Sequence, residues 1–167
     1  SKGCLIMTAA LELSKNQVTH FYSKKKNTTE MIRMAETLLK SYADYKRIYM
    51  SWDAASWHLS KKLREFVEEN NSKNTSQPQL ILAPLPASAQ FLNVIESVFS
   101  GMARAIIHNS DYHSLEAAQQ AIDRYFFERN DYFRHHPKRA GNKIWGSERT
   151  DTNFRKSNNC KDPLYSR

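Results

Sequence analysis

Two acidic residues, Asp53 and Glu96, stand where a divalent cation would need oxygen ligands. Asp53 closes the apolar run Arg47-Ile48-Tyr49-Met50-Ser51-Trp52-Asp53, which reads as a strand. Ligands of open α/β sheets bind beyond strand ends, so an acid in that place faces a crevice. Glu96 lies near the start of a helix-like run, behind Leu92-Asn93-Val94-Ile95. Ile95 and Phe99 flank it on the apolar side, which places it at the edge of a buried face. A carboxylate there needs a cation or hydrogen bonds to stay ionised. Each acid also has an ordinary reading. Strand-end aspartates serve turns and caps, and first-turn glutamates serve the helix dipole or solvent.

The neighbours add weaker signals. Asn93, three positions before Glu96, either orients it or caps the helix. His58 either touches a phosphate or lies on the surface. Lys61, Lys62 and Arg64 form a basic cluster that suits a nucleic-acid path or a solvated helix face. His135 and His136 are adjacent, so on a helix they point in different directions, and no third ligand accompanies them. They read as surface residues.

Elements must bring these residues together. Cys4–Leu11 and Gln17–Tyr22 read as strands joined by a hairpin over Ser14-Lys15-Asn16. Met31, Ala35, Leu38 and Tyr42 then recur at helical spacing, with Thr28 or Thr29 as the cap. The Asp53 strand follows. Ser60 caps a second helix with Leu63, Phe66 and Val67 inside, and Asn70 to Pro78 reads as a polar loop. Leu80–Ala83 is a short strand. Phe91, Ile95, Val98, Phe99, Met102 and Ile106 mark a third helix, and Leu115 to Phe133 a fourth. A hairpin leading into alternating helices and strands predicts an α/β fold, a mixed sheet covered by helices.

The 167 residues suffice for one domain with a core. The formal net charge is +8 and the pI about 9.5, which suits an anionic partner. No apolar stretch is long enough to span a bilayer. Cys4 and Cys160 fit no zinc pattern and read as reduced, intracellular thiols. Most of the positive charge follows Pro137, where Lys138, Arg139 and Lys143 begin a basic stretch poor in apolar residues. Residues 1–137 therefore read as the folded domain and 138–167 as a basic, flexible tail.

The stretch Asp53-Ala54-Ala55-Ser56-Trp57-His58-Leu59-Ser60-Lys61-Lys62 resembles the second-acid block of bacterial insertion-sequence transposases of the mariner superfamily. Leu82-Ala83-Pro84-Leu85-Pro86, continued by Gln90-Phe91-Leu92-Asn93-Val94-Ile95-Glu96, resembles their third-acid block. The resemblance extends to about Trp145-Gly146. It departs from the family pattern at Ala54, where many relatives carry Asn, and at Pro86-Ala87-Ser88-Ala89.

The resemblance implies an RNase H-like fold and Mg²⁺- or Mn²⁺-dependent cleavage and strand transfer of DNA by three acids and two ions. Asp53 would be the second acid and Glu96 the third. The family's first Asp lies on a strand before the hairpin, whereas no Asp here precedes Asp44. Glu12, by the hairpin turn, is a poor substitute. The chain is thus expected to be the C-terminal part of a catalytic domain, without its first central strand and inactive alone. The resemblance further implies DNA and no membrane as partners, a homodimer for the complete enzyme, and a cytoplasmic, nucleoid-associated bacterial setting. The alternative is a non-catalytic remnant or co-opted nucleic-acid-binding module.

Overall fold

An antiparallel hairpin opens the chain: β1 (Ile6–Glu12) pairs with β2 (Gln17–Ser23), Leu11 facing Val18 and Ile6 facing Ser23. The computed structural model describes residues 4–52, 60–73, 78–85 and 93–141. The hairpin turn is held from both sides. The Glu12 carboxylate accepts the backbone N–H groups of Ser14 (2.9 Å) and Lys15 (2.7 Å), and also the Ser14 hydroxyl. Asn16 sits at φ 57°, a left-handed conformation that Asn tolerates better than most residues. The Arg129 guanidinium donates to its carbonyl (2.9 Å) and its side-chain oxygen (2.5 Å).

Helix α1 (Thr28–Ser41) follows. Its cap is Asn27, whose side chain accepts the Glu30 N–H at 3.1 Å, one residue ahead of the expected threonines. Strand β3 (Arg47–Met50) pairs in parallel with β4 (Gln79–Leu82), Arg47 facing Gln79 and Met50 facing Leu82. Between them runs α2 (Lys61–Lys73), with the Ser60 hydroxyl accepting the Leu63 N–H at 3.3 Å. The helix continues through Asn70–Lys73, a stretch expected to be loop. Asparagine is a weak helix former. Here tertiary contacts override that preference: Asn70 is buried, and Asn71 accepts the Leu80 N–H and donates to its carbonyl, both at 2.9 Å.

Helix α3 (Ile95–Met102) passes into a π-helical turn at Ala103–Ile107, closed by the His108 N–H on the Ala103 carbonyl at 2.8 Å. The expected single helix to Ile106 is therefore wound more widely in its last part. A Cβ at Gly101 would stand 3.3 Å from the Tyr125 hydroxyl, so glycine there eases the approach of α3 to α4 (Leu115–His135).

Two apolar clusters sit on opposite faces of the strands. One joins Met31, Met34, Ala35, Leu38 and Leu39 of α1 to Met50, Trp52, Leu63, Val67 and Leu80, with Ala10 and Phe21 packed against it. The other joins Val18, Val98, Ile122 and Phe126, with Met7, Ala9 and Leu11 against it. Alternate residues of β1 thus serve opposite layers, as a strand covered on both faces requires. The described residues form a mixed α/β fold with an antiparallel hairpin, a parallel strand pair and four α-helices, consistent with an RNase H-like fold.

Helix α4 also ties to β2 by polar contacts. His20 and Tyr22 both reach the Asp123 carboxylate, at 2.8 and 2.7 Å, and the Tyr22 hydroxyl contacts the Gln119 carbonyl at 3.1 Å. Burial, and then the Asp123 contact, hold the Tyr22 phenol well above its ordinary range. Asn130 accepts the Val18 N–H and donates to its carbonyl, both at 2.8 Å.

Met34 is 2 % exposed at the centre of the first cluster. Met34→Ala should cost about 2–5 kcal/mol in chemical denaturation, whereas Tyr49→Ala at an exposed site should cost under about 1 kcal/mol. Tyr22 keeps its proton in the folded chain where the unfolded chain loses it near pH 10. The stability it contributes is intact below about pH 10 and declines as pH rises beyond that. In Tyr22→Phe the urea midpoint should fall less steeply between about pH 9 and 11 than in the native chain.

Candidate active site

The two strand pairs do not share a ladder among the described residues. Between β1 and β3 lies a groove of about 1150 Å³. Its floor includes Met31, Met34 and Leu38 of α1, and its opposite wall includes Val94, Ile95 and Phe99 at the start of α3.

Strand β3 and the chain just beyond it, as far as Trp52, run along this groove. The β3–β4 pairing extends past both strands, with the Ala83 N–H on the Met50 carbonyl and the Leu85 N–H on the Trp52 carbonyl, each at 2.9 Å. Trp52, buried at 6 % exposure, lines the groove immediately before Asp53 in sequence. Asp53 and His58 themselves lie outside the described residues.

Glu96 occupies the first turn of α3 and is exposed, beside half-buried Ile95 and buried Val98. Its backbone N–H donates to the Asn93 carbonyl at 3.1 Å. The helix N-cap is Val94, with no side-chain cap, so of the two readings of Asn93 the capping one does not hold. Asn93 lines the groove. Among the described residues no cation or hydrogen-bond donor reaches the Glu96 carboxylate, which leaves its oxygens open to a ligand or to water. Asn93, Val94 and Ile95 share the groove with Trp52, Ala83 and Leu85. The sequence neighbours of both acids therefore line one concavity. Among the described residues, no three His, Cys, Asp or Glu side chains form a metal cluster.

The basic residues divide into two groups. Lys61, Lys62 and Arg64 are exposed on α2 and do not line the groove, and Lys61 pairs with Glu65 at 3.4 Å. Lys138 and Arg139 are exposed beyond α4, and Arg139 lines the groove. Lys143 lies outside the described residues. Two groove cations were not singled out from sequence, Lys26 and Arg47. Arg47 had a readable signal. In the run ending at Asp53, alternation sets Arg47, Tyr49 and Ser51 on one face, and Tyr49 is 64 % exposed there.

The remaining candidates keep ordinary roles. Glu12 spends its oxygens on the hairpin turn. His135 contacts the Asp131 carbonyl at 3.0 Å, and His136 stacks on Tyr132 with ring centres 4.4 Å apart. Both are exposed, as expected of surface residues. No helix among the described residues is long and apolar enough to cross a membrane.

In comparison with known protein families, the family described as DDE superfamily endonuclease matches residues 1–119. No curated protein and no solved structure matches the chain.

Proposed function

The chain belongs to the DDE superfamily endonucleases, and on that premise we propose that it is part of a DNA transposase of the bacterial insertion-sequence branch of the mariner superfamily. Asp53 and Glu96 are its second and third acids. The observation that supports this assignment is the shared groove, lined by Trp52 on one side and by Asn93 and Ile95 on the other. Asn93 orients Glu96 from within that groove. Asp53 and Glu96 would hold Mg²⁺ or Mn²⁺, since carboxylate oxygens suit these hard cations. When bound, the ions supply activation of a water or a DNA 3′-hydroxyl and stabilise the leaving oxygen at a phosphodiester.

The protein's own contribution is to hold the acids and to neutralise DNA phosphates. His58, Lys61, Lys62, Arg64, Lys138, Arg139 and Lys143 serve the second role. Residues 1–43 hold no Asp and Glu12 is committed to its turn, so residues 1–167 by themselves are expected to supply two of the three acids and not to cleave DNA. The complete enzyme carries out cleavage and strand transfer at one site, as a homodimer, in the bacterial nucleoid.

Mn²⁺ titration followed by NMR tests the pairing of the acids. The Trp52 and Ile95 amide signals should broaden together, and both effects should disappear in Asp53→Ala and in Glu96→Gln. Broadening on one side only, or insensitivity to Asp53→Ala, refutes the shared site. With Mg²⁺ and supercoiled DNA the chain should leave the substrate intact. Nicking that Asp53→Ala abolishes would contradict its inactivity. DNA affinity should fall by about tenfold or more between about 50 and 200 mM salt, with little sequence preference. A salt-independent affinity would exclude phosphate neutralisation as the binding term.

A further inference from the structure

Building on the endonuclease reading, we propose that Lys24, Lys25 and Lys26, the exposed loop between β2 and α1, are positioning residues that clamp the DNA backbone beside the candidate site. A lysine run in a loop is ordinarily just solvated. Its place in the fold, its effect on α1 and its lack of counter-charge set this one apart.

The hairpin has a turn end and an open end. At the turn end the Lys15 ammonium stands 5.4 Å from the centre of the Tyr45 ring, just before β3. Tyr42, which closes α1, meets Thr19 and the charge of Lys15, so α1 finishes there too. From this end β2 runs out to Ser23, and a similar length of chain leads from Tyr45 to Trp52, about 20–25 Å in each case. Strand β1 and the run Arg47–Trp52 border the same groove along their length. Trp52 and the Ile6–Ser23 pair therefore stand together at the open end. Lys24 follows Ser23 directly, and Lys26 lines the groove with Trp52 and Asn93. The lysine loop thus shares one end of the molecule with the sequence neighbours of both acids.

The same loop leads into α1, whose N-cap is Asn27. A helix N-terminus carries partial positive charge and favours acids over lysines. Three cations there work against α1. Among the described residues none of the three pairs with an acid. Glu30, in the first turn of α1, accepts the Ser23 hydroxyl at 2.9 Å and the Arg33 guanidinium at 3.4 Å instead. Helix α2 shows the contrast: Lys61 pairs with Glu65 and Lys73 with Glu69, one turn apart, which supports the helix itself. A cluster that opposes its own helix and has no counter-charge in the fold fits an external anion.

Lysine suits a phosphodiester backbone. Its ammonium is a compact charge on a flexible stem, and it binds phosphate without a fixed docking geometry. Such contacts set the position of the DNA and carry no sequence information. The clamp therefore decides where the backbone lies relative to the acids and leaves the sequence unread. Metal takes no part in it.

The test titrates the full chain with a short blunt duplex of mixed sequence in EDTA. Combining Lys24→Gln, Lys25→Gln and Lys26→Gln should lower affinity about tenfold or more at about 50 mM salt and reduce the slope of log K against log salt by about 2–3. A charge-matched control, Lys40→Gln with Lys46→Gln and Lys73→Gln at exposed sites elsewhere, should reduce that slope by less than about 1. The loop variant should melt no lower than the native chain, because the charges it loses oppose α1. In the native chain the duplex should shift the Asn27 and Trp52 amide signals together. Equal slopes in the two variants would reduce the effect to net charge and overturn the clamp. A lower melting temperature with unchanged DNA affinity would assign the lysines to the fold and overturn it. Shifts at Asn27 without Trp52 would place the DNA away from the candidate site, and absence of binding would remove the clamp altogether. The Mn²⁺ titration at Trp52 and Ile95 reads the acids without DNA, so failure of the endonuclease reading is a separate result.

Discussion

The apolar face of α1 is the constraint on which the architecture rests. No backbone ladder joins the hairpin to the parallel pair among the described residues. What spans them is a shared layer of side chains. Met31, Met34, Leu38 and Leu39 pack with Ala10 and Phe21 of the hairpin and with Met50, Leu63 and Leu80 beyond it. Each such side chain, fully buried, contributes about 1.5–3 kcal/mol. A packed core is not freely deformable, so this layer fixes the separation of β1 and β3 as well as their attachment. The groove is the space that separation leaves.

The candidate site inherits its position from that arrangement. Trp52 is buried in the α1 cluster and also borders the groove, so the chain enters Asp53 from a fixed point. The opposite side is set by α3, whose Val98 and Phe99 belong to the second cluster with α4. Two independent packing layers therefore aim the sequence neighbours of Asp53 and Glu96 at one concavity. Exposure of Glu96 fits a group that meets a solvated cation or a DNA backbone.

Much of this was legible in the residues. The apolar run Cys4–Leu11, the β-branched and aromatic run Gln17–Tyr22, and the helical spacing of Met31, Ala35 and Leu38 fall within a residue or two of where β1, β2 and α1 stand. Glu96 at the head of a helix was readable for the same reason. Other features depend on partners distant in sequence. Asn70 and Asn71 resemble loop residues until Leu80 is seen beside them. Asn130 looks like a poor helix residue, yet it closes the outer edge of β2. Lys26 lines a groove that no local pattern announces. The π-turn at Ala103–Ile107 likewise has no periodic signal, since its side chains continue the helical spacing.

The two half-sheets also explain where polar satisfaction is strict and where it is relaxed. Outer edges are closed by side-chain forks, and the hairpin turn is closed by Glu12 and Arg129. Inner edges keep their hydrogen-bonding capacity directed at the groove. Amide hydrogen exchange resolved residue by residue tests this most directly. Along β1 and β3 the account predicts alternation: fast exchange at Met7, Ala9, Leu11 and Tyr49, and slow exchange at Thr8, Ala10, Ile48 and Met50. Uniform protection along either strand would show that its inner edge is already paired and would contradict the account.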